Sequence, residues 1–169
     1  FHRFLYGEGF RADDPTGTID APKKGRPLPK VLSEAEVTRL IETAEREAAA
    51  ATDGEGAEIS AALRGRRLRL HALLETVYAT GLRVSELVSL PASALRGEAP
   101  FVTVRGKGAK ERLVPLSSRA RAAMSAHVAH LKAAGKWAAG EKWLFPSWSA
   151  SGHTTRQAFA RDLKDLAVR

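Results

Sequence analysis

The sequence of 169 residues contains no cysteine. This absence excludes a disulfide framework, a zinc site built on thiolates and a thiol nucleophile, and it fits a reducing, cytoplasmic setting. No apolar run approaches the roughly 18 to 20 residues that a membrane-spanning helix needs. The first residues lack both an initiator Met and the features of a secretion signal, so we expect the natural start to lie upstream.

Tyrosine and histidine are scarce, with two and five residues respectively. Tyr6 lies in a short N-terminal helical segment. Tyr78 lies on an apolar helical stripe and is predicted to be a packing residue rather than a nucleophile. The histidines His71, His127 and His130 have no clustered acidic or cysteine partners in the sequence. Neither a metal site nor a cofactor is therefore expected.

The charge is divided unevenly along the chain, whose formal net charge is +8. Residues 1–60 hold 8 Lys and Arg against 12 Asp and Glu, a net of −4, whereas residues 61–169 hold 19 against 7, a net of +12. A cationic surplus of this size is typical of a protein with a polyanionic partner, most simply nucleic acid. A solvated basic surface without such a partner accounts for the charge equally well.

Glycine, proline and charged residues separate a short N-terminal segment from the rest. Residues 1–7 are typical of the end of a helix and are predicted to belong to a preceding domain, and residues 8–32 to be an interdomain linker. Residues 33–169 then form the principal domain. Its first helix is predicted to begin at Ser33, because this residue can act as the N-cap and Glu36 completes a capping box.

The apolar periodicity predicts a mainly α-helical fold with one small antiparallel β-hairpin. Gly81 is placed to end the second long helix, and the last helix is expected still to run at Arg169. We expect helices over about residues 33–53, 59–79, 84–90, 117–134 and 154–169, and strands over residues 101–105 and 111–116. Four arginines that cannot all face one way crowd the second helix, so some are expected only to be solvated: Arg64, Arg66, Arg67 and Arg69.

Arg83 follows the stop signal at Gly81 and lies in the first turn of a short predicted helix. A guanidinium at such a rigid junction can grip a phosphate with two parallel N–H donors. Glu86, three residues on, shares its helical face and could orient Arg83 or cap the helix. The alternative is an ordinary surface Arg–Glu pair worth about 0.2–0.5 kcal/mol, and the spacing by itself favours that alternative.

Lys107 stands between two glycines at the tip of the predicted hairpin. A flexible tip can carry its ammonium group into a groove, where it could donate a proton to a leaving alkoxide. A solvated turn whose lysine blocks edge-to-edge pairing is the alternative, and it is the commoner role of such residues.

Together, ATGLRVSEL at residues 79–87 and VRGKGAKERLVPL at residues 104–116 resemble the tyrosine recombinase (phage integrase) family, and within it the bacterial Xer branch that resolves chromosome dimers. RADDPTGTIDAPKKGRPLPKVLSEAEV is similar to the end of that branch's core-binding domain and its interdomain linker. LFPSWSASGHTTRQAFARDLKDLA is similar to the helix before its second catalytic box. The resemblance thus implies that residues 33–169 are the N-terminal part of a recombinase catalytic domain.

The resemblance also implies roles for single residues. Arg83 is similar to the first catalytic arginine, Glu86 to the acidic residue that supports it, and Lys107 to the hairpin lysine that protonates the departing 5′-oxygen. The implied reaction is phosphoryl transfer without metal, through a 3′-phosphotyrosyl intermediate, in which preorganised cations stabilise the anionic phosphorane. Double-stranded DNA and further recombinase protomers are the implied partners. The expected DNA contacts are Lys110, Arg112, Thr155, Arg156 and Gln157.

Later parts of the family pattern have no counterpart in these residues. The second box, His-x-x-Arg, should follow the helix that starts near Thr155, and neither it, the later His or Trp, nor the nucleophilic tyrosine is matched. His153 and Arg156 have the right spacing, but their flanks match the preceding helix. The 169-residue chain alone is therefore expected to bind DNA without cleaving it. A non-catalytic DNA-binding module and a helical protein-interaction scaffold are the alternatives.

Overall fold

The computed structural model describes residues 1–18, 31–52, 57–96, 99–106 and 111–168. In these ranges the chain is mainly helical with one two-stranded antiparallel sheet, which confirms the predicted fold class. The elements in chain order are α1 (His2–Gly7), α2 (Glu34–Ala49), α3 (Ala61–Thr80), α4 (Val84–Val88), a 3₁₀ helix (Ala92–Leu95), β1 (Phe101–Arg105), β2 (Glu111–Pro115), α5 (Ser118–Ala133) and α6 (Arg156–Ala167).

The chain divides into two compact units, Phe1–Val31 and Leu32–Arg169. The first contains α1, in which no residue is buried. The second contains the other elements and the hydrophobic core. The assignment of residues 1–7 to a preceding domain and of residues 8–32 to a linker stays a prediction.

Local sequence signals set two of the helix ends, as predicted. The backbone N–H of Ser33 donates to Glu36 Oε2 at 2.7 Å, and Ser33 Oγ accepts from the Glu36 N–H at 3.3 Å, so the capping box of α2 is complete. The backbone N–H and the hydroxyl of Ser33 hold the pKa of Glu36 below its ordinary value. At the end of α3, Gly81 has φ 61°, a left-handed conformation that glycine adopts without a Cβ clash.

Helix α3 carries the largest share of the packing in the second unit, where it contacts both α2 and α5. The hairpin adds one face to the same core. Val102 pairs with Val114 and both are buried, whereas the neighbouring pair of Thr103 and Leu113 is exposed, as alternation along a strand requires. The most deeply buried large side chains of the core are Phe145, Leu73, Leu87, Leu90, Met124 and Leu144.

Two expectations about the helices are wrong. Tyr78 is 60% exposed, because its ring borders a surface cleft between α2 and the start of α5 that neither helix covers. Helix α4 ends at Val88 rather than Leu90, because the chain turns there to pair with a later segment through the Leu90 carbonyl. Helix α6 ends at Ala167, and Arg169, at which it was expected still to run, lies outside the described residues.

The crowded arginines of α3 serve mainly to hold helices together. Arg66 Nε donates to Asp162 Oδ1 at 2.8 Å, and Arg69 Nη2 donates to Asp162 Oδ2 at 2.9 Å. Arg66 also bonds to Asp165. Arg67 Nε lies 3.6 Å from Oε2 of Glu47 on α2. These three arginines are thus engaged with acidic partners on α6 and α2, whereas Arg64 is exposed, which agrees with the expectation that only some of the four are solvated.

Candidate nucleic-acid interface

Arg83 stands at a rigid junction between two helices. The glycine at position 81 ends α3, Leu82 is buried, and Arg83 is the N-cap residue of α4 with φ −64° and ψ 146°. Helix α4 is anchored by Leu87 and Val88, whose side chains are fully buried. The Arg83 side chain is 73% exposed, so a fixed backbone presents a guanidinium to an approaching ligand.

Glu86 accepts hydrogen bonds from two arginines and from the backbone. The Arg83 N–H donates to Oε2 at 3.0 Å, and Arg83 Nη1 donates to Oε1 at 3.2 Å. Arg112 donates through Nη1 to Oε1 at 3.1 Å and through Nη2 to Oε2 at 2.8 Å. The latter is a bidentate pair, which fixes the planes of both groups. Glu86 therefore caps the start of α4 and hydrogen-bonds the Arg83 guanidinium.

The three side chains form a cationic cluster, here named the Arg83–Glu86–Arg112 cluster. Hydrogen bonds from Arg112 and Arg83 lower the pKa of Glu86 from 4.5 to about 2, and the carboxylate is ionised at neutral pH. The pairing in turn raises the pKa of Arg112. Two positive charges against one negative leave the cluster with a net charge of +1, on a surface where both guanidiniums remain accessible.

The pairing of Arg112 with Glu86 is the part of the cluster that sequence spacing could not predict. It lies on β2, 26 residues from Glu86, where the antiparallel register places it opposite Val104. Burial of Val114 fixes the strand against the core. Two of the five guanidinium donors are engaged by Glu86, so the side chain keeps further donors for an anion. The resemblance predicted Arg112 as a DNA contact but gave no sign of its pairing with Glu86.

The hairpin lysines belong to the remaining candidates. Lys107 and Lys110 lie outside the described residues, between the paired ends Arg105 and Glu111 of the two strands.

The start of α6 brings together the other predicted contacts. Thr155 is the N-cap, and its Oγ accepts from the Ala158 N–H at 3.1 Å. Arg156 and Gln157 follow in the first turn and are exposed. Thr154 is buried and donates through Oγ1 to the Phe145 carbonyl at 3.1 Å. Exposed donors at a helix N-terminus favour anions.

Two backbone hydrogen bonds connect the segment before α6 to the chain that follows α4. The Leu144 N–H donates to the Leu90 carbonyl at 2.8 Å, and the Ala92 N–H donates to the Lys142 carbonyl at 2.9 Å. Helix α4 also contacts α6. Arg83 and the N-terminus of α6 are therefore parts of one packed assembly within the second unit.

In the part of the chain that the structure describes, no group of three or more His, Asp or Glu side chains is arranged to hold a metal ion. Among the same residues, no helix is both long and apolar enough to cross a membrane.

One known protein family accounts for most of this sequence. The sequence profile of the phage integrase family matches residues 30–169. The chain belongs to this family. The tyrosine recombinase XerD of Rhizobium meliloti (strain 1021) is 56% identical over 169 residues, covering 100% of this chain and 50% of the relative. XerD of Brucella suis biovar 1 (strain 1330) is 54% identical over 170 residues, covering 100% of this chain and 52% of the relative.

This phage integrase family chain thus spans about half the length of the curated relatives it matches. The solved structures that this chain resembles are likewise matched over less than half of their length. The XerA recombinase superposes with a TM-score of 0.56 at 25% identity, over 88% of this chain and 45% of that one. The XerH site-specific recombinase bound to its difH substrate superposes with a TM-score of 0.58 at 19% identity, over 85% of this chain and 39% of that one. At this lower identity the likeness shows the fold alone.

Proposed function

We propose that this chain is part of a site-specific DNA recombinase that cleaves and rejoins DNA strands through a 3′-phosphotyrosyl intermediate. The observation that carries the proposal is the Arg83–Glu86–Arg112 cluster, an ionised carboxylate that orients two accessible guanidiniums at the start of α4. Family membership supports the same reaction, since curated relatives at 56% and 54% identity are tyrosine recombinases. Double-stranded DNA is the proposed substrate, and the XerH structure is that of a recombinase bound to its difH substrate.

In this proposal Arg83 holds a non-bridging oxygen of the scissile phosphate, and Glu86 acts as its positioning residue. Charge builds up on those oxygens in the transition state, so a donor fixed in advance lowers the barrier without reorganisation. The rigid junction supplies that fixation. Glu86 neutralises only one of the two arginine charges, so the cluster keeps a net positive charge that can attract the phosphate.

Lys107 is proposed as the general acid that protonates the departing 5′-oxygen. The proposal for Lys107 comes from the resemblance to the family and from its place in the sequence, between Gly106 and Gly108. The remaining proposed DNA contacts combine cations and helix-terminal donors, which position a duplex chiefly through its phosphates: Lys110, Arg112, Thr155, Arg156 and Gln157.

The 169 residues by themselves are proposed to bind DNA without cleaving it. Neither the His-x-x-Arg box nor the nucleophilic tyrosine of the family has a match in them, and Tyr6 and Tyr78 lie outside the cluster. Other recombinase protomers on the same DNA are the proposed partners. A nicking assay tests this proposal: cleavage by the 169-residue chain alone would contradict it.

The test of the proposed reaction compares Arg83→Ala and Lys107→Ala with Arg39→Ala, in the full-length protein that contains this chain. Arg39 is an exposed arginine of α2, outside all proposed contacts. We expect Arg83→Ala to lower the cleavage rate by about 100- to 1,000-fold, the usual loss for one preorganised donor. DNA affinity, measured by anisotropy, should change little. Cleavage at the control's rate in either variant would overturn the assignment.

A modified DNA separates the proposed role of Lys107 from that of Arg83. In a substrate with sulfur in place of the bridging 5′-oxygen, the leaving thiolate needs no proton. Lys107→Ala should then recover most of its lost cleavage rate, whereas Arg83→Ala should not. A Lys107 variant that stays equally impaired on the sulfur substrate would rule out general-acid catalysis by this lysine.

A further inference from the structure

Trp148 is fully exposed, at 102% of its reference accessibility. The chain has three tryptophans, and the other two, Trp137 and Trp143, are half-buried. Tryptophan is among the most buried side chains on average, because its large apolar surface is costly to leave in water. An aromatic ring held wholly in solvent therefore indicates a partner surface.

The loop that carries Trp148 is ordered by its own hydrogen bonds. The Ser147 N–H donates to the Gly152 carbonyl at 3.0 Å, and the Gly152 N–H donates to the Ser149 carbonyl at 2.8 Å. The Ser149 hydroxyl donates to the His153 carbonyl at 2.5 Å. Gly152 has φ 74°, which closes the turn without the strain that another residue would suffer. The ring is thus presented by a closed turn.

The base of this loop is fixed to the rest of the unit. The rings of Trp143 and His153 meet edge to face with centroids 5.0 Å apart, and Lys142 Nζ lies 4.6 Å from the centre of the Trp143 ring. The bridge from Leu144 to the Leu90 carbonyl joins the same segment to the end of α4. Trp148 consequently has a defined position relative to the proposed DNA-contacting elements.

The geometry bounds the distance from Trp148 to the start of α6. Pro146 and His153 form an antiparallel bridge, and Trp148 and Thr155 each lie two residues beyond it. With successive Cα atoms about 3.8 Å apart and bridged ones about 5.5 Å apart, the Cα atoms of Trp148 and Thr155 are separated by at most about 21 Å. One turn of B-DNA is about 34 Å long, so a duplex seated at the helix start can extend past the loop.

Charge around the loop favours a polyanion over a protein surface. Arg156, Arg161 and Lys164 are exposed along α6. The acidic residues of this helix, Asp162 and Asp165, are engaged by arginines of α3. Helix α6 therefore exposes its cations to solvent while its acidic residues are engaged in ion pairs with α3, and its exposed surface favours an anionic ligand.

We infer that Trp148 is a DNA-contacting aromatic residue, which packs against the deoxyribose sugars of a duplex seated on the N-terminus of α6. The inference rests on the proposed function and adds to it a contact that carries no charge. The sugar is the same at every nucleotide, so a contact with it carries no sequence information. Its contribution should therefore be uniform across duplexes of different sequence.

Tryptophan fluorescence tests the contact directly, with Trp148→Phe and Trp137→Phe compared in the full-length protein. Adding a mixed-sequence duplex should quench the emission of the wild type and of Trp137→Phe, and should protect part of it from acrylamide. In Trp148→Phe that DNA-dependent change should be lost, while anisotropy of the labelled duplex still reports binding. An undiminished change in Trp148→Phe would overturn the inference and leave the proposed function intact.

Affinity measurements give a second readout. Trp148→Ala should weaken duplex binding about tenfold, the order expected for withdrawing part of a large apolar side chain from water, and should leave the salt dependence of affinity unchanged. The matched comparison is Arg156→Ala, which should reduce the slope of log affinity against log salt by about one. Wild-type affinity in Trp148→Ala would contradict the inference. Absence of duplex binding by the unmodified protein would contradict both the inference and the proposed function.

Discussion

Two groups of arginines in this chain have the same chemistry and opposite surroundings. Arg66 and Arg69 of α3 share a carboxylate that is 2% exposed, and Asp165 supplies a second anion, so the charges balance. Arg83 and Arg112 share only Glu86 and are themselves 73% and 41% exposed. The balanced group joins two helices, and the unbalanced group leaves a positive charge facing solvent. The ratio of cations to anions thus separates a structural ion-pair network from a candidate phosphate site.

The largest expected effect comes from breaking the balanced group. Asp162→Asn leaves Arg66 and Arg69 without their shared carboxylate in a largely buried setting, and we expect it to lower the free energy of unfolding by about 3–5 kcal/mol. Urea unfolding measures this loss. Asp165→Asn is the matched control: its side chain is 45% exposed, so a loss below about 1 kcal/mol is expected. Equal losses in the two variants would show that the burial of Asp162 does not determine how much its ion pairs contribute to the free energy of unfolding.

The next effect is a pH dependence of stability that comes from His127, a buried residue near Arg69 of the balanced group. Burial, together with the charge of Arg69, lowers the pKa of His127 from 6.5 to about 3. Its ring stacks on Phe145 at 5.6 Å. Between these two pKa values the unfolded chain binds a proton that the folded chain does not, so stability falls as the pH is lowered from 6.5 towards 3.

The expected loss from this histidine is about 2 kcal/mol at pH 5 relative to pH 7, because one unit of pKa difference corresponds to about 1.4 kcal/mol. His127→Leu should flatten the dependence of the unfolding free energy on pH over that window. Parallel pH profiles for the variant and the wild type would contradict the buried, uncharged state of His127.

The smallest of these effects concerns the unbalanced group. The pKa of Glu86 is depressed from 4.5 to about 2, so its stabilising contribution is complete above pH 4.5 and is lost as the pH falls through 2. Glu86→Gln should cost only about 1 kcal/mol at neutral pH, because solvent screens a pair at the surface. It should also make stability less dependent on pH between 4.5 and 2. The exposed Glu58 provides a control, Glu58→Gln, for which no such flattening is expected.

Local features of the fold were predictable because a few neighbouring residues determine them. The Ser33 and Glu36 capping box, the stop at Gly81 and the two strands of the hairpin all follow from backbone preferences within a few positions. The resemblance to the family predicted the recombinase fold from two short motifs, each an unbroken run of residues. The expectation for Tyr78 failed because periodicity marks a helical face but does not say whether another helix covers it.

The pairings that give the arginines their different roles could not be predicted. Asp162 lies 96 residues from Arg66, and Arg112 lies 26 residues from Glu86. No local spacing connects such residues, because helix packing and strand register bring them together. The exposure of Trp148 was hidden for the same reason, since a tryptophan in a loop sequence carries no sign of whether the fold buries it.

The most direct test of the central claim is the yield of covalent protein–DNA complex formed by Arg83→Ala in the full-length protein at saturating duplex, measured together with its melting temperature. We expect the yield to fall about 100-fold or more while the melting temperature stays within about 2 °C of the wild type, because Arg83 is proposed to stabilise the transition state and its surface pair adds little to stability. A yield close to that of the wild type, or a loss that simply follows a lower melting temperature, would contradict the assignment of Arg83 to the phosphate.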